Sequence, residues 1–143
     1  MIRHARLDEL DKCKALIIEA ISLSARHGDI DDAVVTNTIL QCLTSPQMCM
    51  FVSVDSSDEI RGVLAGYVAP SVFGSFLVAS DFVTYSKDGK GFYLMRRFEK
   101  WARQFNSVKQ IDFINSFGGG EAAELLAIKM GFERIGGYLS KGV

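Results

Sequence analysis

"SKDGKGFYLMRRFEKWARQF", residues 86–105, runs from a charged Gly-Lys-Gly turn straight into a strongly periodic helix. Phe92, Met95, Phe98, Glu99 and Ala102 recur at the three- and four-residue spacing of a single helix face. Before the turn, "GSFLVASDFVTYS" (74–86) is β-rich, with Phe76, Val78, Phe82 and Val83 apolar and Asp81 embedded among them. After the helix, "KQIDFINSF" (109–117) is a further strand. The three segments together predict a helix crossing between two parallel strands.

On the N-terminal side, Met48 to Val54 and Ile60 to Ala69 are strands joined by the turn "DSSDE", which makes a hairpin. Upstream of Pro46, a helix is predicted from about Asp31 to Leu43, with Ala33, Val34, Thr38, Ile39 and Cys42 inward. The first helix is capped by Asp8 and carries Leu10, Cys13, Leu16, Ile17, Ala20, Ile21 and Leu23 on its apolar face, with Gly28 as its stop. "MIRHAR" at the start alternates as a short strand. On the C-terminal side, "GEAAELLAIKMG" (120–131) is a helix and "FERIGGYLSKG" (132–142) a last, truncated strand. The order β-α-α-β-β-β-α-β-α-β predicts an α/β (α+β) protein, a single domain over 1–143 with a central mixed sheet flanked by helices.

Of the 143 residues, 48% are hydrophobic and 23% charged, enough to bury a real core throughout. Sixteen basic residues against seventeen acidic give a net charge of -1, so no global field favours nucleic acid or an anionic membrane. No apolar run reaches the length of a membrane-spanning helix and the charged start lacks a signal-peptide centre, so a cytoplasmic location is expected. Cys13, Cys42 and Cys49 are widely spaced and contain no CxxC pair, and His4 and His27 are isolated. Reduced thiols and no metal site follow.

A strand, glycines and a helix start form a physically good holder for a phosphate or oxyanion, because first-turn amides are unpaired and the helix dipole favours negative charge. Gly89 and Gly91 allow close backbone approach, Lys90 adds a point charge, and Arg96 and Arg97 lie one to two turns on. The other reading is a plain turn with two glycines. "GKGFYL" has neither the spacing of a P-loop nor the third glycine of a dinucleotide fingerprint, whose place is taken by Leu94. The second glycine cluster, in "INSFGGGEAAE", reads as a loop before a helix.

Over nearly its whole length the chain resembles the GNAT family of acyl-CoA-dependent N-acyltransferases. The likeness rests on the element order, on the Gly89-Lys90-Gly91 turn before the third helix, and on Gly131-Phe132 followed by Tyr138 and Lys141. "GVLAGYVAPSVFG" and "FEKWARQ" are similar to small members carried by tailed phages. The resemblance implies acetyl-CoA as co-substrate, no metal, and coenzyme contacts from Val83, Thr84, Tyr85, Gly89, Lys90, Gly91, Phe92 and Tyr93. It also implies a strand bulge ahead of the turn. At the loop's consensus positions this chain has Asp88, Gly91 and Tyr93, and Ala127 stands where the family often has its tyrosine acid.

The implied reaction is acetyl transfer to a primary amine, on a small molecule or a protein, by direct attack. Such a reaction needs a proton acceptor for the ammonium, donors for the developing oxyanion and an acid for the thiolate. Asp81 is expected as the base, unless it points outward or pairs with an arginine. Strand amides around Val83 to Tyr85 are expected to meet the oxyanion. Tyr138 is expected as the acid, with Tyr85 or Tyr93 as alternatives. Asp29, Asp31 and Asp32 read either as a cationic-acceptor site or as caps of the second helix. The rival function is a non-catalytic binding or interaction protein of the same fold, and the missing edge strand leaves room for a homodimer.

Overall fold

The structure is a computed structural model that describes residues 1–23, 28–114, 116–117, 120–136 and 141–142. A six-stranded sheet runs in the order β1-β2-β3-β4-β5: β1 (Ile2–His4), β2 (Met48–Val54), β3 (Ile60–Pro70), β4 (Leu77–Ser86) and β5 (Val108–Asp112). The short β6 (Ser116–Phe117) also pairs with β4. Strands β1 to β4 are antiparallel, whereas β5 and β6 run parallel to β4. The helices are α1 (Leu10–Ser22), α2 (Asp32–Thr44), α3 (Gly91–Ala102) and α4 (Gly120–Lys129).

Each face of the sheet has its own core. Cys13, Leu16, Ile17 and Ala20 of α1 and Ile39 and Cys42 of α2 pack on Met50, Val52, Val63, Ala65, Val83 and Tyr85. On the opposite face Leu94, Met95, Phe98 and Trp101 of α3 pack on Phe51, Leu64 and Ala79, with Ala127 of α4 at the margin. The strands are buried on both faces, so they read as continuous apolar runs rather than alternations. Gly66 of β3 admits the Phe98 ring: a Cβ there would meet that ring and, at 2.7 Å, the Ser80 carbonyl oxygen.

Several expectations are corrected. Asp8 does not cap the first helix: a 3₁₀ turn (Leu7–Glu9) intervenes, and Glu9 reaches back to accept from the Arg6 amide at 2.8 Å. Ala33 and Val34 are exposed, and Val35 joins Ile39 and Cys42 on the inward face of α2. The single strand expected over 109–117 is broken into β5 and β6, with Phe113 and Ile114 in neither. Residues 132–136, the start of the expected last strand, are not in a strand, and 137–140 lie outside the described residues.

The β3–β4 register shifts between Ala65 and Gly66, whose partners are Val83 and Asp81, so Phe82 is an extra residue in β4. This bulge turns the Phe82 side chain outward, against Tyr67 at 4.7 Å between ring centres.

Candidate functional site

The bulge, the turn after β4 and the first residues of α3 lie in sequence along one end of the sheet. Gly89 has φ +72°, a left-handed conformation that L side chains rarely adopt, so the turn needs its glycine. Gly91 is different. Its backbone is ordinary, and an added Cβ would touch only the Ser86 Cβ, at 3.8 Å. Nothing in the described fold requires a glycine there, which leaves open space directly over the helix start.

Among the described residues the amides of Gly91 and Phe92 have no acceptor, as the first turn of a helix dictates. The Lys90 amide is taken: it donates to Ser86 Oγ at 2.9 Å and to Asp88 Oδ1 at 3.1 Å. Asp88 Oδ1 also accepts from Ser86 Oγ at 2.7 Å and from Ser53 Oγ at 3.4 Å. The turn therefore holds a carboxylate of its own beside two free amides. Tyr93 is 55% exposed and its ring lies 5.6 Å from the Lys90 ammonium, so its bulk stands outside the turn.

Asp81 is 1% exposed and does not point outward. Its Oδ1 accepts from the Ile114 amide at 2.8 Å and its Oδ2 from Thr84 Oγ1 at 2.9 Å. Strand β5 pairs with β4 only as far as Ser80, and β6 resumes at Thr84. Asp81 thus clasps β4 to the β5–β6 connection where the backbone ladder is interrupted. A carboxylate so enclosed and so engaged holds the strands together and is shielded from a dissolved amine. Thr84 and Tyr85 pair with β6 as well as β3, and among the described residues the ladder on this side of β4 is interrupted at Asp81 and Phe82.

Tyr138 lies outside the described residues. Of its alternatives, Tyr93 is exposed, and the Tyr85 hydroxyl meets the Glu19 carboxylate of α1, which also pairs with Lys87 Nζ at 3.4 Å. Burial first, and then the Glu19 charge, push the Tyr85 hydroxyl up from its ordinary pKa. Sequence reasoning missed Glu19, because only tertiary packing brings α1 against the end of β4. Ala127 lines a cleft with Met95, Phe113 and Phe132.

Asp31 caps α2 by accepting from the amides of Ala33 and Val34 at 3.0 and 3.2 Å, and Asp32 pairs with Lys14 at 2.8 Å. The capping reading therefore holds for Asp31. Cys13, Cys42 and Cys49 are free and buried, and burial pushes the Cys13 and Cys42 thiols up to about 12. Among the described residues no group of His, Cys, Asp and Glu could hold a metal ion, and no helix is long and apolar enough to cross a membrane.

A predicted acetyltransferase from Clostridium acetobutylicum, solved with acetyl-CoA, superposes with a TM-score of 0.75 at 14% identity, over 99% of this chain and 94% of that one. The protein has the GNAT fold. AAC(6')-Iy, solved with the bisubstrate analogue CoA-S-monomethyl-acetylneamine, matches at TM-score 0.72 and 14% identity, over 99% of this chain and 97% of that one. A ribosomal-protein-alanine N-acetyltransferase from Brucella melitensis matches at 0.66 and 13%, over 99% of both chains. No protein-family model and no curated protein sequence matches the chain. In GNAT terms, β4 with its bulge, the Gly89–Gly91 turn and α3 stand in the expected succession.

Proposed function

We propose that the protein binds acetyl-CoA and transfers the acetyl group to a primary amine, on a small molecule or a protein, by direct attack. The observation that carries this reading is the pair of free amides at Gly91 and Phe92, under open space at a helix start that follows a bulged strand. The fold neighbours solved with acetyl-CoA and with a coenzyme conjugate support the choice of anion. The residues fit a diphosphate: Gly91 and Phe92 donate from the backbone, Gly89 shapes the turn, and Lys90, Tyr93 and Arg96 flank it. The coenzyme, when bound, supplies an acyl carbon activated as a thioester.

The chain's own residues do the rest. The strand amides around Val83 to Tyr85, next to the gap beside the bulge, are assigned to the reacting carbonyl. Glu19, half-exposed beside Tyr85 and Lys87, takes the ammonium proton in place of the enclosed Asp81. Asp81 positions the gap. Tyr138 retains the role of acid, and Asp29 that of an acceptor-side charge.

The test is thermal unfolding with acetyl-CoA, since a ligand bound only by the native state raises the melting temperature by mass action. No shift at millimolar acetyl-CoA removes the proposal. With binding in hand, thiol release is followed across an amine panel for Glu19→Gln and Asp81→Asn. Glu19→Gln is expected to lower kcat by about 10²-fold or more. Unchanged turnover in Glu19→Gln, with loss in a folded Asp81→Asn, would return the base to Asp81.

A further inference from the structure

Five of the sixteen basic residues, Lys90, Arg96, Arg97, Lys100 and Arg103, fall within 90–103, with Glu99 the only one of seventeen acids there. The remaining surface is accordingly rich in acid. Arg96, Lys100 and Arg103 are exposed along one side of α3. Only Arg103 has an ion-pair partner among the described residues, Glu99 at 2.7 Å. Arg97 is held over the Phe51 ring at 5.1 Å, and the His4 ring also lies against Phe51, at 4.4 Å between ring centres. These cations share a groove with Tyr93 and with Ile2 of β1.

The second wall of the groove is a sheet edge. β1 is the outermost strand on this side. Met1 exchanges both backbone hydrogen bonds with Val54, and the Ala5 amide donates to Met50, so the odd-numbered residues face β2. The backbone groups of Ile2 and His4 therefore point away from the sheet. The His4 carbonyl accepts from Arg3 Nη1 at 3.0 Å, while the amides of Ile2 and His4 have no acceptor among the described residues.

We propose that this groove docks an acidic, extended peptide segment of a partner protein, which adds to the β1 edge and lays alternate carboxylates against Arg96, Arg97 and Lys100. Outward amides supply the backbone half of strand addition, and guanidinium groups fit carboxylates bidentately. A nucleic acid would use the cations but not the edge amides. It would also carry its charge past the patch into the acid-rich remainder of the surface, whereas a short acidic segment meets the patch alone. The groove shares Tyr93 and Arg96 with the flank of the proposed coenzyme site, so the experiment has to separate the two ligands.

The probe is a fluorescein-labelled peptide of alternating glutamate and valine, followed by anisotropy in about 20 mM and about 150 mM salt. Saturable binding is expected, weaker in the higher salt. The double variant Arg96→Glu/Lys100→Glu should weaken it at least about tenfold, and so should N-methylation of alternate peptide amides. Arg96→Gln/Lys100→Gln, with a smaller loss expected, replaces the reversal if the latter lowers the melting temperature. Absence of saturable binding in low salt overturns the proposal, as does indifference to these substitutions. An oligothymidylate of matched charge that binds as tightly would assign the groove to nucleic acid instead, and displacement of the peptide by acetyl-CoA would assign it to the coenzyme.

Discussion

The Asp88 carboxylate accepts a hydrogen bond from the Lys90 amide at 3.1 Å, so one donor of the turn is already satisfied by an anion from the chain itself. A bound diphosphate beside it would meet a like charge. Asp88→Asn keeps an acceptor oxygen for Lys90 and Ser86 while removing that charge. Affinity for acetyl-CoA is expected to rise about fivefold, near 1 kcal/mol at a helix terminus, as read by isothermal titration. Unchanged affinity would mean that the coenzyme's phosphates lie elsewhere.

Gly91→Ala separates stability from binding. Its Cβ has ordinary contact with Ser86 alone, and alanine is the better helix former, so the free protein should melt no lower and up to about 1 kcal/mol more stably. The same methyl group fills the space over the free amides. The stabilisation by acetyl-CoA should shrink or vanish, which paired melts with and without ligand will read.

Gly66→Ala should do the reverse. The Phe98 ring and the Ser80 carbonyl stand where its Cβ would be, and neither is the far end of a flexible chain. A loss of about 1–3 kcal/mol is expected from denaturant unfolding. Wild-type stability in this variant would show that α3 shifts freely on the sheet.

Acid should weaken the fold in two stages. Partial desolvation against Phe51, and then the Arg97 charge, hold the imidazole of the exposed His4 below its ordinary 6.5. Its contribution is therefore present above that value and is lost as the pH falls below it. The hydrogen bonds from Arg3 hold the Glu9 carboxyl down at about 2, from 4.5, and this stability is present above 4.5 and lost between there and 2. The second stage is worth at most about 3 kcal/mol by linkage. Glu9→Gln should abolish the lower stage and leave the upper one, in urea titrations across pH.

The sequence by itself determined the order of elements and the crossover at residues 86–105, because periodicity and glycine placement are local properties of the chain. It also located the turn that starts α3, and it distinguished that turn from a P-loop by spacing alone. Only the tertiary structure decided the chemistry around it. That Asp81 clasps an interrupted ladder, that Asp88 enters its own turn, and that Glu19 meets Tyr85 depend on which strands pair and where they part. Phe82 shows the reason most plainly: one inserted residue in β4 moves its side chain to the outside, and no pattern of apolar residues along a single strand records what the neighbouring strand is doing.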